Sequence, residues 1–160
     1  MRRGIVVVCC AVAMAMVHGS ALARSVSLTD PQDIAYPDAD LSESGYVTHL
    51  RDDGEVRSRF WLETYGGRIG FSDITLQIDT DADGQTNVTV FCEAGCTLHS
   101  AAGTFAVHDT VRTVGGVQRY FIYFPKHLLH ATARIAWRFQ THDGTEEGYD
   151  VAPNAGWYQS

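Results

Sequence analysis

The stretch YVTHLRDDGEVRSRFWLE, residues 46–63, decides the fold class, because apolar and polar residues alternate on both sides of Asp53-Gly54. Alternation with a period of two is typical of a β-strand with one buried face. An Asp-Gly dipeptide supplies the positive φ that a tight hairpin turn requires. The stretch therefore predicts a β-hairpin, with Val56, Phe60 and Leu62 on one face of its second strand and Trp61 on the opposite, polar face.

The same pattern recurs along the chain. DITLQIDTDADGQTNVTVFC (73–92) and TFAVHDTVRTVGGVQRYFIYFP (104–125) predict two further hairpins, and ARIAWRFQTH (133–142) predicts another strand. PKHLLH (125–130) is expected to form one helical turn, opened by its proline. About seven or eight short strands with glycine turns predict one all-β domain over residues 24–160, an antiparallel β-sandwich of immunoglobulin-like or jelly-roll-like type.

The first 23 residues have the layout of a secretory signal peptide. Arg2 and Arg3 precede an apolar run from Ile5 to Val17, and a small residue, Ala23, stands at the expected cleavage position. The apolar run is shorter than the roughly 20 residues that span a bilayer, so no membrane insertion is expected. We therefore expect a secreted or periplasmic protein.

The balance of charges is acidic. The 12 Lys and Arg residues include the two in the predicted signal peptide, which leaves ten basic residues against 19 acidic ones after cleavage. Such a surface repels phosphate backbones, and no nucleic acid is expected as a partner.

The two cysteines that remain after cleavage, Cys92 and Cys96, lie in FCEAGCT with three residues between them. An oxidising compartment favours a disulfide across the end of a strand. A pair of metal thiolates is the alternative, but it requires two more soft ligands nearby.

The stretch IDTDADGQTN, residues 78–87, carries the pattern of the first half of a calcium loop. Carboxylates at alternate positions run into a glycine, and up to five oxygen ligands are available from Asp79, Asp81, Asp83, the Gln85 carbonyl and the Asn87 side chain. An EF-hand is excluded because its twelfth position is Val90 rather than Glu. The alternative is that Asp83-Gly84 simply makes the turn and the aspartates solvate it.

Aromatic and titratable residues suggest weaker hypotheses. Planar rings that could stack on a sugar are Trp61, Tyr65, Trp157 and Tyr158, although such rings more often cover the ends of a sandwich. His127 and His130 share one face of the predicted helical turn, but without a third ligand they are expected to be surface histidines rather than a zinc site.

No motif of a known catalytic site is present, and no catalytic residue is expected. Glu146-Glu147 beside Asp143 and Asp150 could form a carboxylate pair for glycoside hydrolysis, although a solvated loop is the more ordinary interpretation.

Several short motifs, DPQDIAYPDADLSESGYVTHLRDDGEV, the IDTDADG strand end, YFIYFPKHLL and APNAGW, resemble secreted bacterial β-sandwich proteins, namely DOMON-like domains and family-nine carbohydrate-binding modules. The resemblance implies a non-catalytic module that often carries calcium and sometimes a sugar or haem. Of the site residues only the stretch from Asp79 to Asp83 matches, and the haem ligands have no counterpart.

These observations together predict a secreted, non-catalytic module, stabilised by calcium, that binds a glycan or an exported partner protein. The alternatives are a small secreted hydrolase that uses His and carboxylate residues, and an inhibitor or stability domain for an exported enzyme.

Overall fold

The computed structural model describes residues 26–34, 37–130, 134–145 and 149–160. The predicted signal peptide, residues 1–23, and the pair Glu146-Glu147 lie outside the described residues.

The described part of the chain consists of β-strands and one 3₁₀ turn, and the prediction of an antiparallel all-β fold is confirmed. Its elements are β1 (Val26–Thr29), β2 (Leu41–Leu50), β3 (Val56–Thr64), β4 (Asp73–Asp79), β5 (Val88–Cys92), β6 (Cys96–Ser100), β7 (Gly103–Val114), β8 (Val117–Pro125), the 3₁₀ turn (Lys126–Leu129), β9 (Ala136–His142), β10 (Tyr149–Ala152) and β11 (Tyr158–Gln159).

The strands form one continuous antiparallel sheet in the order β1-β2-β3-β8-β7-β6-β5-β4-β9-β10, with β11 beside β9. β7 links the two halves of the sheet, because its first part pairs with β6 through Val107 and its second part pairs with β8 from His108 onward. The sheet curves round on itself, and we call its halves β1-β2-β3-β8 and β6-β5-β4-β9-β10 its two layers.

The last strands approach the first at one place, which we call the seam. The Leu41 N–H at the start of β2 donates a hydrogen bond of 2.7 Å to Asp150 Oδ2 in β10, and Thr141 Oγ1 in β9 donates one of 2.8 Å to the Ala39 carbonyl. These two bonds join the ends of the sheet, which nearly closes on itself.

The core lies between the two layers. Phe60 of β3 and Trp137 of β9 meet there with ring centroids 6.0 Å apart, and Tyr46 packs on both rings. Trp137 and Phe139, which alternate along β9, are both buried in this core, and so is Ile135 just before the strand.

The predicted hairpin turns are confirmed at Asp53-Gly54, between β2 and β3, and at Gly115-Gly116, between β7 and β8. Gly115 and Gly116 have φ of 62° and 92°, the left-handed conformation that a two-residue hairpin turn demands. The helical turn predicted at residues 125–130 is present at Lys126–Leu129.

The predicted number of seven or eight strands is wrong, because the described residues alone form eleven. The strands that alternation did not predict are β1, β6, β10 and β11, which contain four, five, four and two residues and so offer few positions at which a period of two can be seen.

Candidate functional site

The loop between β4 and β5, residues 80–87, is folded around the carboxylate of Asp79. Oδ1 of that carboxylate accepts hydrogen bonds from the backbone N–H groups of Asp81 (3.2 Å) and Ala82 (2.7 Å), and Oδ2 accepts one from Gly84 (2.7 Å). Asp79 is almost fully buried, and a buried charge must be hydrogen-bonded to be tolerated. Its carboxylate is therefore the centre of the loop.

The carboxylates of Asp79, Asp81 and Asp83 lie close together at the loop. One oxygen from each lies within 4.8 Å of the others, and we call these three residues the loop cluster. The pKa of Asp81 is raised, mainly because its side chain shares a hydrogen bond with the Asp79 carboxylate. Burial by itself would raise the pKa of Asp79, but the N–H groups of Gly84, Asp81 and Ala82 together lower it.

The two other predicted ligands play different parts in this structure. Asn87 Oδ1 accepts hydrogen bonds from the N–H (2.6 Å) and the hydroxyl (3.1 Å) of Thr80, and these bonds join the two ends of the loop. Gln85 reaches the loop cluster through its N–H, which donates to Asp83 Oδ1 at 2.8 Å. The donor set that converges on one point thus consists of the three aspartates.

Cys92 and Cys96 lie directly opposite each other on β5 and β6 and are joined by a disulfide, with their Cα atoms 4.1 Å apart. This agrees with the predicted bridge. Both cysteines are part of the core rather than of an exposed metal site.

Two of the four aromatic candidates are buried. Trp61 faces outward on β3 but is only 5 % exposed, because its ring lies against Gly45 on β2 and the Arg119 guanidinium lies 4.1 Å from its centroid. Tyr158 is 6 % exposed and packs on Trp137, with ring centroids 5.9 Å apart. Little of either ring is available for stacking on a ligand.

The other two rings are more accessible. Tyr65 is 41 % exposed and donates its hydroxyl to the Asp30 carbonyl, while Trp157 is partly buried, with the Arg138 guanidinium 4.8 Å from its ring centroid. Arg138 is on β9 in one layer and Trp61 is on β3 in the other, so the predicted rings do not form a single exposed platform.

His127 and His130 line an open depression of about 420 Å³ together with Glu55. The groups of acidic, histidine and cysteine ligands that could hold a metal ion, among the residues that the structure describes, contain aspartates only. The depression is therefore a place where a histidine and a carboxylate share one surface.

A second acidic group, which the sequence did not predict, is assembled at the seam. Asp30 follows β1, Asp33 lies in the connection to β2, and Asp150 is in β10, yet one oxygen from each lies within 4.8 Å of the others. Asp40, directly before β2, interacts electrostatically with all three. We call Asp30, Asp33, Asp40 and Asp150 the seam cluster.

Three members of the seam cluster are buried, with Asp30 and Asp150 each 3 % exposed and Asp40 0 % exposed. Burial, followed by repulsion from Asp150 and Asp33, raises the pKa of Asp30 and that of Asp40 to about 6. Burial also raises the pKa of Asp150, although the Leu41 N–H opposes this. All of these carboxyls are therefore harder to ionise than an exposed aspartate.

Among its described residues the chain has no helix with the length and apolar character needed to cross a membrane. Comparison with family models, with curated proteins and with solved structures finds no match.

Proposed function

We propose that the chain is an exported, non-catalytic β-sandwich module that is stabilised by calcium at the loop cluster and that binds a glycan or an exported partner protein. The observation that supports this best is the convergence of three carboxylates on one point, since calcium takes six to eight oxygen ligands in a flexible geometry. The motifs that resemble DOMON-like domains and family-nine carbohydrate-binding modules favour the same assignment.

Calcium would act on the hairpin formed by β4 and β5. The three N–H groups on Asp79 already fix its carboxylate, so a cation would have to order only Asp81 and Asp83. Binding to the folded state alone adds about 2.7 kcal/mol when calcium is at 100 times its dissociation constant.

The test is thermal unfolding in millimolar calcium and in chelator. We expect calcium to raise the melting temperature of the wild-type protein, and Asp81→Ala to remove the part of the rise that comes from the loop cluster. Asp52→Ala, in the exposed turn between β2 and β3, is the matched control and should respond as the wild type does. If Asp81→Ala responds to calcium as the wild type does, the loop is a turn and not a calcium site.

For the ligand, the more accessible rings Tyr65 and Trp157 are the candidates for stacking on a sugar. A glycan array should give a hit that Tyr65→Ala or Trp157→Ala weakens. Tyr149→Ala is the control, because Tyr149 is 50 % exposed and is not a candidate. An array without hits would favour an exported protein, including an enzyme that the module inhibits or stabilises.

A small secreted hydrolase is the second candidate, and the depression lined by Glu55, His127 and His130 favours it. A histidine near a carboxylate is a common arrangement for general acid–base chemistry. Hydrolysis of an ester, peptide or glycoside from a substrate panel, lost in His127→Ala, would support this function; absence of turnover on all three classes would contradict it.

A further inference from the structure

We propose that the seam cluster is a calcium site, separate from the loop cluster, that ties the first strands of the sheet to the last. This proposed site is independent of the loop cluster, because the two clusters share no residue. Its four members come from three places in the chain that only the folded sheet brings together.

The first argument is that carboxylate oxygens at the seam are buried without partners. Neither oxygen of Asp40, nor Oδ2 of Asp30, has a hydrogen-bond partner among the described residues. The backbone N–H groups of Asp33 and Ile34 are near enough to lower the pKa of Asp40 somewhat. Neither of them meets the geometry of a hydrogen bond to an Asp40 oxygen. An unpaired buried carboxylate costs several kcal/mol, and either protonation or a positive ligand removes that cost.

The second argument is that no described residue forms an ion pair with a member of the seam cluster. The ion pairs formed by described residues involve acidic groups elsewhere in the chain. The neighbouring groups that shift the pKa of Asp30 and of Asp40 are other carboxylates, whose negative charge raises it by repulsion, and backbone N–H groups, which lower it. A divalent ion would change that repulsion into attraction.

The donor atoms indicate which ion this is. Four carboxylates offer only oxygen, which suits calcium or magnesium and not the metals that prefer nitrogen or sulfur. Calcium accepts irregular sets of six to eight oxygens, whereas magnesium demands a near-ideal octahedron at shorter distances. Asp33 is exposed, so the cluster has an opening to solvent through which an ion can enter.

The position of the cluster gives the ion a structural role. The Asp150 carboxylate already accepts the Leu41 N–H across the seam, and Tyr158 Oη lies 3.5 Å from Asp30 Oδ1. A cation held by Asp30, Asp40 and Asp150 would add bonds between β1, β2 and β10. The ends of the sheet would then separate less readily.

The test uses the Asp81→Ala variant, in which the loop cluster is disabled. We expect this variant still to bind one calcium ion in a calorimetric titration and to melt at a higher temperature in calcium than in chelator. Asp40→Asn in the same background should weaken that binding at least about tenfold, which corresponds to about 1.4 kcal/mol. In chelator, Asp40→Asn should melt at a higher temperature than its parent, because it removes a buried charge.

Asp33→Asn is the second variant, since Asp33 is exposed and its replacement leaves the core untouched. It should also weaken calcium binding, whereas Asp52→Asn, which is exposed and far from the cluster in sequence, should not. The proposal is overturned if the Asp81→Ala protein binds no calcium, or if Asp40→Asn and Asp33→Asn bind it as tightly as their parent. A thermal shift in magnesium equal to that in calcium would overturn the assignment to calcium. If the loop cluster does not bind calcium but the seam cluster does, the wild-type protein should bind one calcium ion. Asp40→Asn should then weaken that binding, and Asp81→Ala should leave it unchanged.

Discussion

Replacing Gly45 with alanine is expected to destabilise the protein, although alanine is normally the better residue in a strand. Gly45 on β2 is the cross-strand partner of Trp61 on β3, and the indole lies directly against it. A Cβ at residue 45 would lie 2.5 Å from the indole Cε2 and Nε1 atoms, whereas ordinary contact begins near 3.4 Å. The ring would have to move outward by about 1 Å in a tightly packed structure.

The size of the effect follows from what holds the ring. Trp61 lies between Gly45 and the Arg119 guanidinium, and it gives up part of its burial and its cation–π contact when it moves. Overpacking of this kind costs about 1–3 kcal/mol, against a gain of about 0.5–1 kcal/mol from replacing a strand glycine. We expect a net loss of about 1–2 kcal/mol in the free energy of unfolding.

A double-mutant cycle measures this contact directly. In the Trp61→Ala background the clash is absent, so Gly45→Ala should become neutral or stabilising, and the two substitutions should be coupled by about 1–3 kcal/mol. Urea unfolding followed by far-ultraviolet circular dichroism is the assay, because it reports mainly on the strands and does not rely on tryptophan fluorescence, which Trp61→Ala would change. Effects that add to within about 0.5 kcal/mol would refute the packed role of Trp61.

Two further predictions concern the disulfide and pH. Replacing Cys92 and Cys96 together with serine should leave the fold intact by circular dichroism and lower the free energy of unfolding by about 2–3 kcal/mol, and alkylation of both thiols in the unreduced protein would show that the bridge is absent. Burial, followed by the nearby positive charges of Arg59, Arg57 and Arg51, lowers the pKa of His49, so the unfolded chain binds a proton there more tightly than the folded one. Stability from this group is therefore complete above the unfolded pKa of about 6.5 and is lost as pH falls toward the folded value. His49→Gln should reduce the fall in unfolding free energy between neutral pH and mildly acidic pH, and an unchanged fall would contradict this.

Much of the fold could be predicted from short stretches of the sequence. Asp53-Gly54 and Gly115-Gly116 predict their turns because few dipeptides adopt the required backbone. The alternation around Trp137 and Phe139 predicts a buried face because a strand repeats every two residues. These signals act within about ten residues and need no knowledge of the rest of the chain.

Long-range features were not predictable in this way. Trp61 was placed correctly on the outer face of β3, but its burial depends on Gly45 and Arg119, which reach it from the neighbouring strands. The loop cluster could be predicted because its three aspartates lie within five residues. The seam cluster could not, because Asp30 and Asp150 are separated by most of the chain.

The acidic excess of the chain has a different meaning once the two clusters are located. As a bulk property it indicates only that the chain as a whole repels polyanions. The loop and seam clusters contain seven of the 19 acidic residues, so part of the negative charge is concentrated in two small groups. Such concentrated charge, which forms no ion pair among the described residues, opposes folding, and an asparagine at the same positions would avoid that cost. Aspartates at these positions are consistent with a fold whose stability is linked to a cation supplied by its surroundings.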